Sequence, residues 1–215
     1  MKRGRIGLPR AALVILAAAA LGVAAGVGIH VLKPGGSSDP QDNPPGLHGQ
    51  ATWEPGARSA PDFILPDQSG RRVSLASLRG RNVMFVFLSS RCRLACAREV
   101  RSLSIALRLL SPSARPTLVV VSVDPLHDTP ESTRAAAARW GLTAAADWHW
   151  LLGSRDQLAP VWRSYRVEVR PAGGPVRAKT PVYLIDSKGF ERAGLLYPFP
   201  PTWPAGDLRI LAREG

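Results

Sequence analysis

Cysteine, acidic side chains and aromatic rings are all scarce in this chain of 215 residues. With only 2 cysteines, Cys92 and Cys96, the sulfur chemistry reduces to a single pair. That pair can close as a disulfide, open as a dithiol, or hold a soft metal ion between two sulfurs. Acidic residues number 16 against 28 lysines and arginines, a formal net charge of +12. So basic a chain raises nucleic acid and anionic lipid as partners. The arginines are scattered, however, and with aromatics at 7% few rings are interleaved with them to stack on bases. No RNA- or DNA-reading motif is present, and nucleic acid is excluded as a partner. Internal repeats, a nucleotide-binding loop and a serine triad are also absent.

Long apolar runs are few, and the first lies at the N-terminus. Residues 1–10 form a basic segment carrying Lys2, Arg3, Arg5 and Arg10, and residues 11–32 contain no Asp, Glu, Lys or Arg. At about 1.5 Å per residue, a helix over 11–32 crosses a hydrocarbon core of about 30 Å. The flanking positive charge stays on the cytoplasmic side. The expectation is a single-pass protein of the inner (cytoplasmic) membrane with its C-terminal part on the periplasmic, extracytoplasmic side. A cleaved signal peptide is the alternative, since Val23-Ala24-Ala25 supplies the small residues of a cleavage site, but the apolar run continues through Val27, Ile29, Val31 and Leu32. Outside the cytoplasm disulfides persist, so the lone cysteine pair is free to cycle.

Residues 33–60 are rich in Pro, Gly and Ser and read as a flexible linker. Residues 61–215 are long enough for one domain with one core. There Phe63-Ile-Leu, the turn Asp67–Gly70 and Arg72–Leu75 read as a hairpin, and Val83–Leu88 and Thr117–Val123 as fully buried strands. Between them Val100, Leu103, Leu107 and Leu110 recur at helical spacing up to Pro112. Thr129-Pro130 is an N-cap followed by Pro at N1 for a helix closing near Trp140-Gly141. A short strand is expected around Trp150. Ser154 and Gln157 form a capping box for a helix presenting Leu158, Val161, Trp162 and Tyr165, with Pro160 awkwardly inside it. Val182–Asp186 and Phe190–Leu196 make a closing hairpin, and a final helix runs near Ala205–Arg213. This order predicts an α/β fold with a mixed sheet flanked by helices.

Cys92 and Cys96 follow the strand 83–88 as Cys-x-x-x-Cys and open the next helix. Positions i and i+4 share a helix face, with Cα atoms about 6 Å apart, within disulfide range. Cys92 sits near the positive end of the helix dipole and beside Arg91 and Arg93, which favours its thiolate and makes it the attacking sulfur. Cys96 would resolve the mixed disulfide.

The order of elements resembles the thioredoxin fold, and the stretch 61–214 is similar to the Sco/SenC family. The matching residues are Pro61-Asp-Phe-Ile-Leu with Gly70-Arg-Arg-Val-Ser-Leu, Cys92-Arg-Leu-Ala-Cys96, Val121-Ser-Val-Asp-Pro-Leu-His-Asp-Thr-Pro-Glu131, Leu152-Gly-Ser154 and Val182-Tyr-Leu-Ile-Asp186. The resemblance implies a thioredoxin-like domain on a membrane anchor. It further implies that Cys92 and Cys96 bind copper or exchange disulfides while the copper centre of cytochrome c oxidase is assembled, with that oxidase's copper-bearing subunit or another thiol protein as partner. It also places Pro181, after Thr180, near the cis-proline of thioredoxin-like proteins.

One family feature is absent. Counting back from Tyr183, the position of the family's copper-binding histidine falls on Ala178, among Arg177, Lys179 and Thr180. Two thiolates still suit Cu(I), whereas Cu(II) loses its imidazole nitrogen. His127 is the candidate replacement ligand, because its loop opens at the same sheet edge as the cysteine loop. His48 falls in the linker, His149 near a strand start and His30 in the anchor; Asp124, Asp128 and Asp186 read as turn and cap residues. A peroxidatic Pro-x-x-x-Thr-x-x-Cys pattern would need proline where Phe85 stands and threonine where Ser89 stands. Three readings remain: a copper chaperone, a general thiol–disulfide oxidoreductase unrelated to copper, and a non-catalytic interaction module with a static Cys92–Cys96 disulfide.

Overall fold

The computed structural model describes residues 46–92, 94–145, 147–169 and 180–215, without the side chains at 94–96. The basic N-terminus, the anchor and residues 33–45 of the linker lie outside the described residues. Among those described, no helix is long and apolar enough to cross a membrane.

The described residues form eight strands: β1 (Ala51–Thr52), β2 (Ile64–Pro66), β3 (Arg72–Ser74), β4 (Val83–Leu88), β5 (Thr117–Ser122), β6 (Asp147–Leu151), β7 (Pro181–Ile185) and β8 (Glu191–Leu196). The α-helices among the described residues are α1 (Leu94–Arg108), α2 (Pro130–Trp140), α3 (Arg155–Ser164) and α4 (Thr202–Glu214). The main sheet has the order β1-β8-β7-β4-β5-β6. β4, β5 and β6 run parallel, and β7, β8 and β1 are added antiparallel, so the sheet is mixed as expected. β2 and β3 form a separate hairpin.

β4 and β5 are buried at every position because both sheet faces are covered. Alternate residues serve two cores. Met84, Val86, Leu88, Leu118 and Val120 face α1, α2 and α4, packing with Leu103, Leu107, Ala136 and Leu208. Phe85, Phe87, Val119 and Val121 face the hairpin and α3, packing with Phe63, Leu65, Leu158, Trp162 and Tyr165. On that side the Phe85 and Tyr165 rings stack with centroids 4.4 Å apart, and the Tyr165 hydroxyl donates to the Pro61 carbonyl at 2.7 Å.

Capping follows the residues that predict it. Thr129 and Ser154 each cap a helix through a reciprocal capping box, and Gly141 ends α2 in the left-handed region at φ 68°. Pro160 sits inside α3 without ending it.

The linker expected through residue 60 is too long. Leu47 is buried, β1 pairs with β8, and Trp53 N–H donates to the Arg192 carbonyl at 3.0 Å. His48, assigned to that linker, directs its backbone N–H and its Nδ1 to Asp207 Oδ1, both at 2.8 Å. A two-residue edge strand amid glycines and prolines shows no alternating pattern, so composition alone could not reveal it. Other boundaries also move. α1 ends at Arg108, leaving Leu110 in the core but beyond the helix, while β6 and α4 begin earlier than their apolar patterns suggested. The candidate cis bond at Thr180–Pro181 is not found; the cis peptide bond among the described residues is Tyr197–Pro198. Pro181 instead enters β7 as an ordinary extended residue in register with Leu196.

Candidate functional site

The loops leaving β4 and β5 emerge at the carboxyl ends of two adjacent parallel strands, the usual place for a site in a sheet of this kind. The first loop carries Ser89, Ser90, Arg91 and Cys92. Because α1 starts at Leu94, Cys92 precedes the helix, with its N–H turned back to the Ser89 carbonyl at 2.9 Å. The two cysteines are therefore not an i, i+4 pair on one helix: Cys92 is a loop residue and Cys96 lies in the first helical turn. Cys92 is half-buried against the core and is not a free thiol.

The second loop holds the first in place, through side chains that read locally as turn formers. Asp128 Oδ1 accepts the Ser90 N–H at 2.8 Å, and its Oδ2 accepts the Ser122 hydroxyl at 2.6 Å. The Ser90 and Ser132 hydroxyls meet at 3.0 Å. Asp124 Oδ2 accepts the Ser89 hydroxyl at 3.3 Å, and its Oδ1 lies 2.7 Å from His127 Nδ1. Burial pushes the Asp128 carboxyl above its ordinary range, partly opposed by the donors on Ser122 and Ser90. Asp128→Ala leaves two buried donors without an acceptor and is expected to cost about 2 kcal/mol in chemical denaturation. A loss under about 0.5 kcal/mol, ordinary for a surface change, would show that the suture is not needed. Asp186 does act as a turn residue, accepting from the N–H groups of Lys188 and Phe190.

Glu99 was not singled out by its local sequence, yet it is buried on α1, one turn beyond Cys96. Burial raises its carboxyl to about 7, with the Thr180 hydroxyl as the one opposing hydrogen-bond donor. That bond places the start of β7, Thr180 and then Pro181, against the first half of α1. A single Glu among surface-type residues gives no signal of burial; only the partner strand supplies it.

His127 is exposed and engaged by Asp124. His149 is buried, with Nδ1 on Asp67 at 2.9 Å, a core role. Among the described side chains, no three of His, Cys, Asp or Glu gather as a metal site. The Cys96 side chain and the stretch 177–179 lie outside them.

A family model described as SCO1/SenC matches residues 52–197, a span that takes in both cysteines and both loops. The chain belongs to the SCO1/SenC family. The bovine mitochondrial protein SCO2 homolog is 36% identical over 115 residues, a stretch covering 49% of this chain and 40% of that protein. The copper-bound ScoI of Bradyrhizobium japonicum superposes with a TM-score of 0.58 at 25% identity, covering 72% of this chain and 99% of that one. BsSco, described as a member of the Sco family of cytochrome c oxidase assembly proteins with a disulfide switch, superposes with a TM-score of 0.63 at 20% identity. It covers 75% of this chain and 97% of its own. The expected thioredoxin-like α/β fold with a mixed central sheet is thus the Sco fold.

Proposed function

We propose that this SCO1/SenC protein serves assembly of the copper centre of cytochrome c oxidase through the Cys92–Cys96 dithiol, by thiol–disulfide exchange, by Cu(I) transfer, or by both. The observation carrying this reading is the position of Cys92, half-buried in a hydrogen-bonded loop at the carboxyl ends of β4 and β5, inside the stretch that matches the family. The copper-bound ScoI and the disulfide switch of BsSco support the two chemistries. Residues 11–32 would anchor the domain in the inner membrane, facing the periplasm, with the copper-bearing oxidase subunit or another thiol protein as partner.

In the exchange reaction the Cys92 thiolate attacks a partner disulfide, forming a mixed disulfide and releasing one partner thiolate. Cys96 then attacks Cys92, releasing the second partner thiol and leaving the Cys92–Cys96 disulfide. Two electrons pass from this chain to the partner. For the metal, two thiolates suit the soft Cu(I) ion, and Ala178 at the family's histidine position removes the nitrogen that Cu(II) needs. That substitution also favours a second reading, a thiol–disulfide oxidoreductase unrelated to copper. Competition of the reduced full chain against a calibrated Cu(I) chelator, followed by its redox titration, tests both. One Cu(I) per chain together with a reversible two-electron couple is the expected result. A couple without copper binding supports the second reading, and neither property would leave only an interaction module with a static disulfide.

A further inference from the structure

Beside the cysteine loop, between α1 and α2, lies a cavity of about 380 Å³. Three guanidinium-bearing residues line it, Arg101 and Arg108 from α1 and Arg139 from α2, and its lining contains no carboxylate. Elsewhere in the domain Arg58 is paired with Glu191, Arg134 with Glu131 and Arg192 with Glu214. Among the described residues none of the three cavity arginines has an ion-pair partner.

Two of the three are already held in place. The Ser104 hydroxyl accepts from Arg108 Nη1. Arg139 lies over the Trp140 ring, 5.3 Å from its centroid, and its Nη2 donates to the Ser90 carbonyl at 3.4 Å. Fixed side chains lose less entropy when a ligand arrives. At Gly141 a Cβ would stand 2.9 Å from Ser104 Oγ and 3.1 Å from Arg108 Nη1, so glycine is what keeps that wall open. The planar guanidinium fork matches carboxylate oxygens in pairs.

What the cavity adjoins selects the occupant. Ala97 on its wall follows Cys96 directly, and Arg139 reaches the loop that carries Cys92. The α1 wall is basic: the exposed ionisable residues described on α1 are Arg98, Arg101 and Arg108, and the one acid described there, Glu99, is buried. A group bound here sits next to the loop that carries Cys92, the loop a partner's cysteines must approach. We propose that this cavity docks an acidic segment, a run of Asp or Glu side chains, on the protein whose cysteines react with Cys92 and Cys96. The identity of the occupant rests on the function proposed above; the anionic preference of the cavity does not.

The test is fluorescence anisotropy of labelled hexaglutamate and hexaglutamine peptides on the full chain, at low and high salt. Hexaglutamate is expected to bind at least about tenfold more tightly at low salt, and the preference should shrink as salt screens it. Arg101 makes no described hydrogen bond, so Arg101→Glu tests the cavity without removing a structural contact, and Arg101→Glu with Arg108→Glu should abolish the preference. Equal binding of the two peptides, or a preference that survives the double variant, would overturn the proposal. Displacement of hexaglutamate by inorganic phosphate at equal charge concentration would overturn the peptide assignment and leave a small-anion site. No step of this titration uses thiol chemistry. Its failure therefore leaves the copper and redox measurements standing, and their failure leaves the titration standing.

Discussion

Cys92→Ser and Cys96→Ser should each weaken Cu(I) binding by well over about a hundredfold and abolish disulfide exchange. Loss of an outer hydrogen-bond partner costs roughly 10- to 100-fold in metal affinity, and loss of one of two direct sulfur ligands must exceed that. The two variants differ in a trapping assay. Cys96→Ser retains Cys92, the sulfur in the loop outside the helix, and should accumulate a mixed disulfide with a thiol partner. Cys92→Ser retains only the sulfur of the first helical turn and should not. His127→Ala should lower Cu(I) affinity by no more than about tenfold, the low end of the scale of an outer group, because His127 is exposed and its Nδ1 is already engaged by Asp124. A loss as large as that of the cysteine variants would make His127 the replacement ligand. Full Cu(I) affinity in either serine variant would remove the dithiol from the metal chemistry.

The second large effect concerns Glu99. Its carboxyl is raised to about 7 in the folded chain from an ordinary value of 4.5, with burial as the main cause. The native state therefore binds the proton more tightly than the unfolded chain does. Below about pH 4.5 the group is neutral in both states and costs nothing; between about 4.5 and 7 the unfolded chain gives up its proton while the folded chain keeps it, so stability falls, and above about 7, where the buried charge forms, the full cost stands. The cost at pH 8 is about 3 kcal/mol. Glu99→Gln keeps the shape and an acceptor for the Thr180 hydroxyl but cannot ionise. It should be more stable than the unmodified chain by about that amount at pH 8 and equal to it near pH 4. Urea denaturation across this range checks the prediction, and parallel pH profiles for the two proteins would show that Glu99 carries no buried charge.

Much of this molecule is written in short-range patterns. The continuous apolar runs of β4 and β5 mark strands covered on both faces, and Thr129 with Pro130 and Ser154 with Gln157 mark two helix starts correctly. Cys92 and Cys96, the only cysteines in the chain, mark the candidate site without any fold. The signal fails where an element is too short or too mixed to show a period. β1 is two residues long amid glycine and proline, and α4 opens with Thr202, Trp203 and Pro204 before its apolar face begins. Pro181 precedes the hairpin at the distance that suggested a cis bond, but no local pattern distinguished it from Pro198, which follows the cis bond that is found.

Composition, capping and periodicity are set by neighbours within a few residues, so the sequence by itself determined the sulfur pair, the α/β order and the starts of α2 and α3. Tertiary structure decided what surrounds the loop that carries Cys92. Asp124 reaches Ser89 across 35 positions and Asp128 reaches Ser90 across 38, turning two apparent turn formers into the clasp of the cysteine loop. Glu99 becomes a buried acid only when Thr180 arrives from β7, and Arg101, Arg108 and Arg139 share one cavity only when α1 and α2 pack. Each of these depends on chain segments remote in sequence meeting at one sheet edge, and no local pattern encodes which remote segment will arrive.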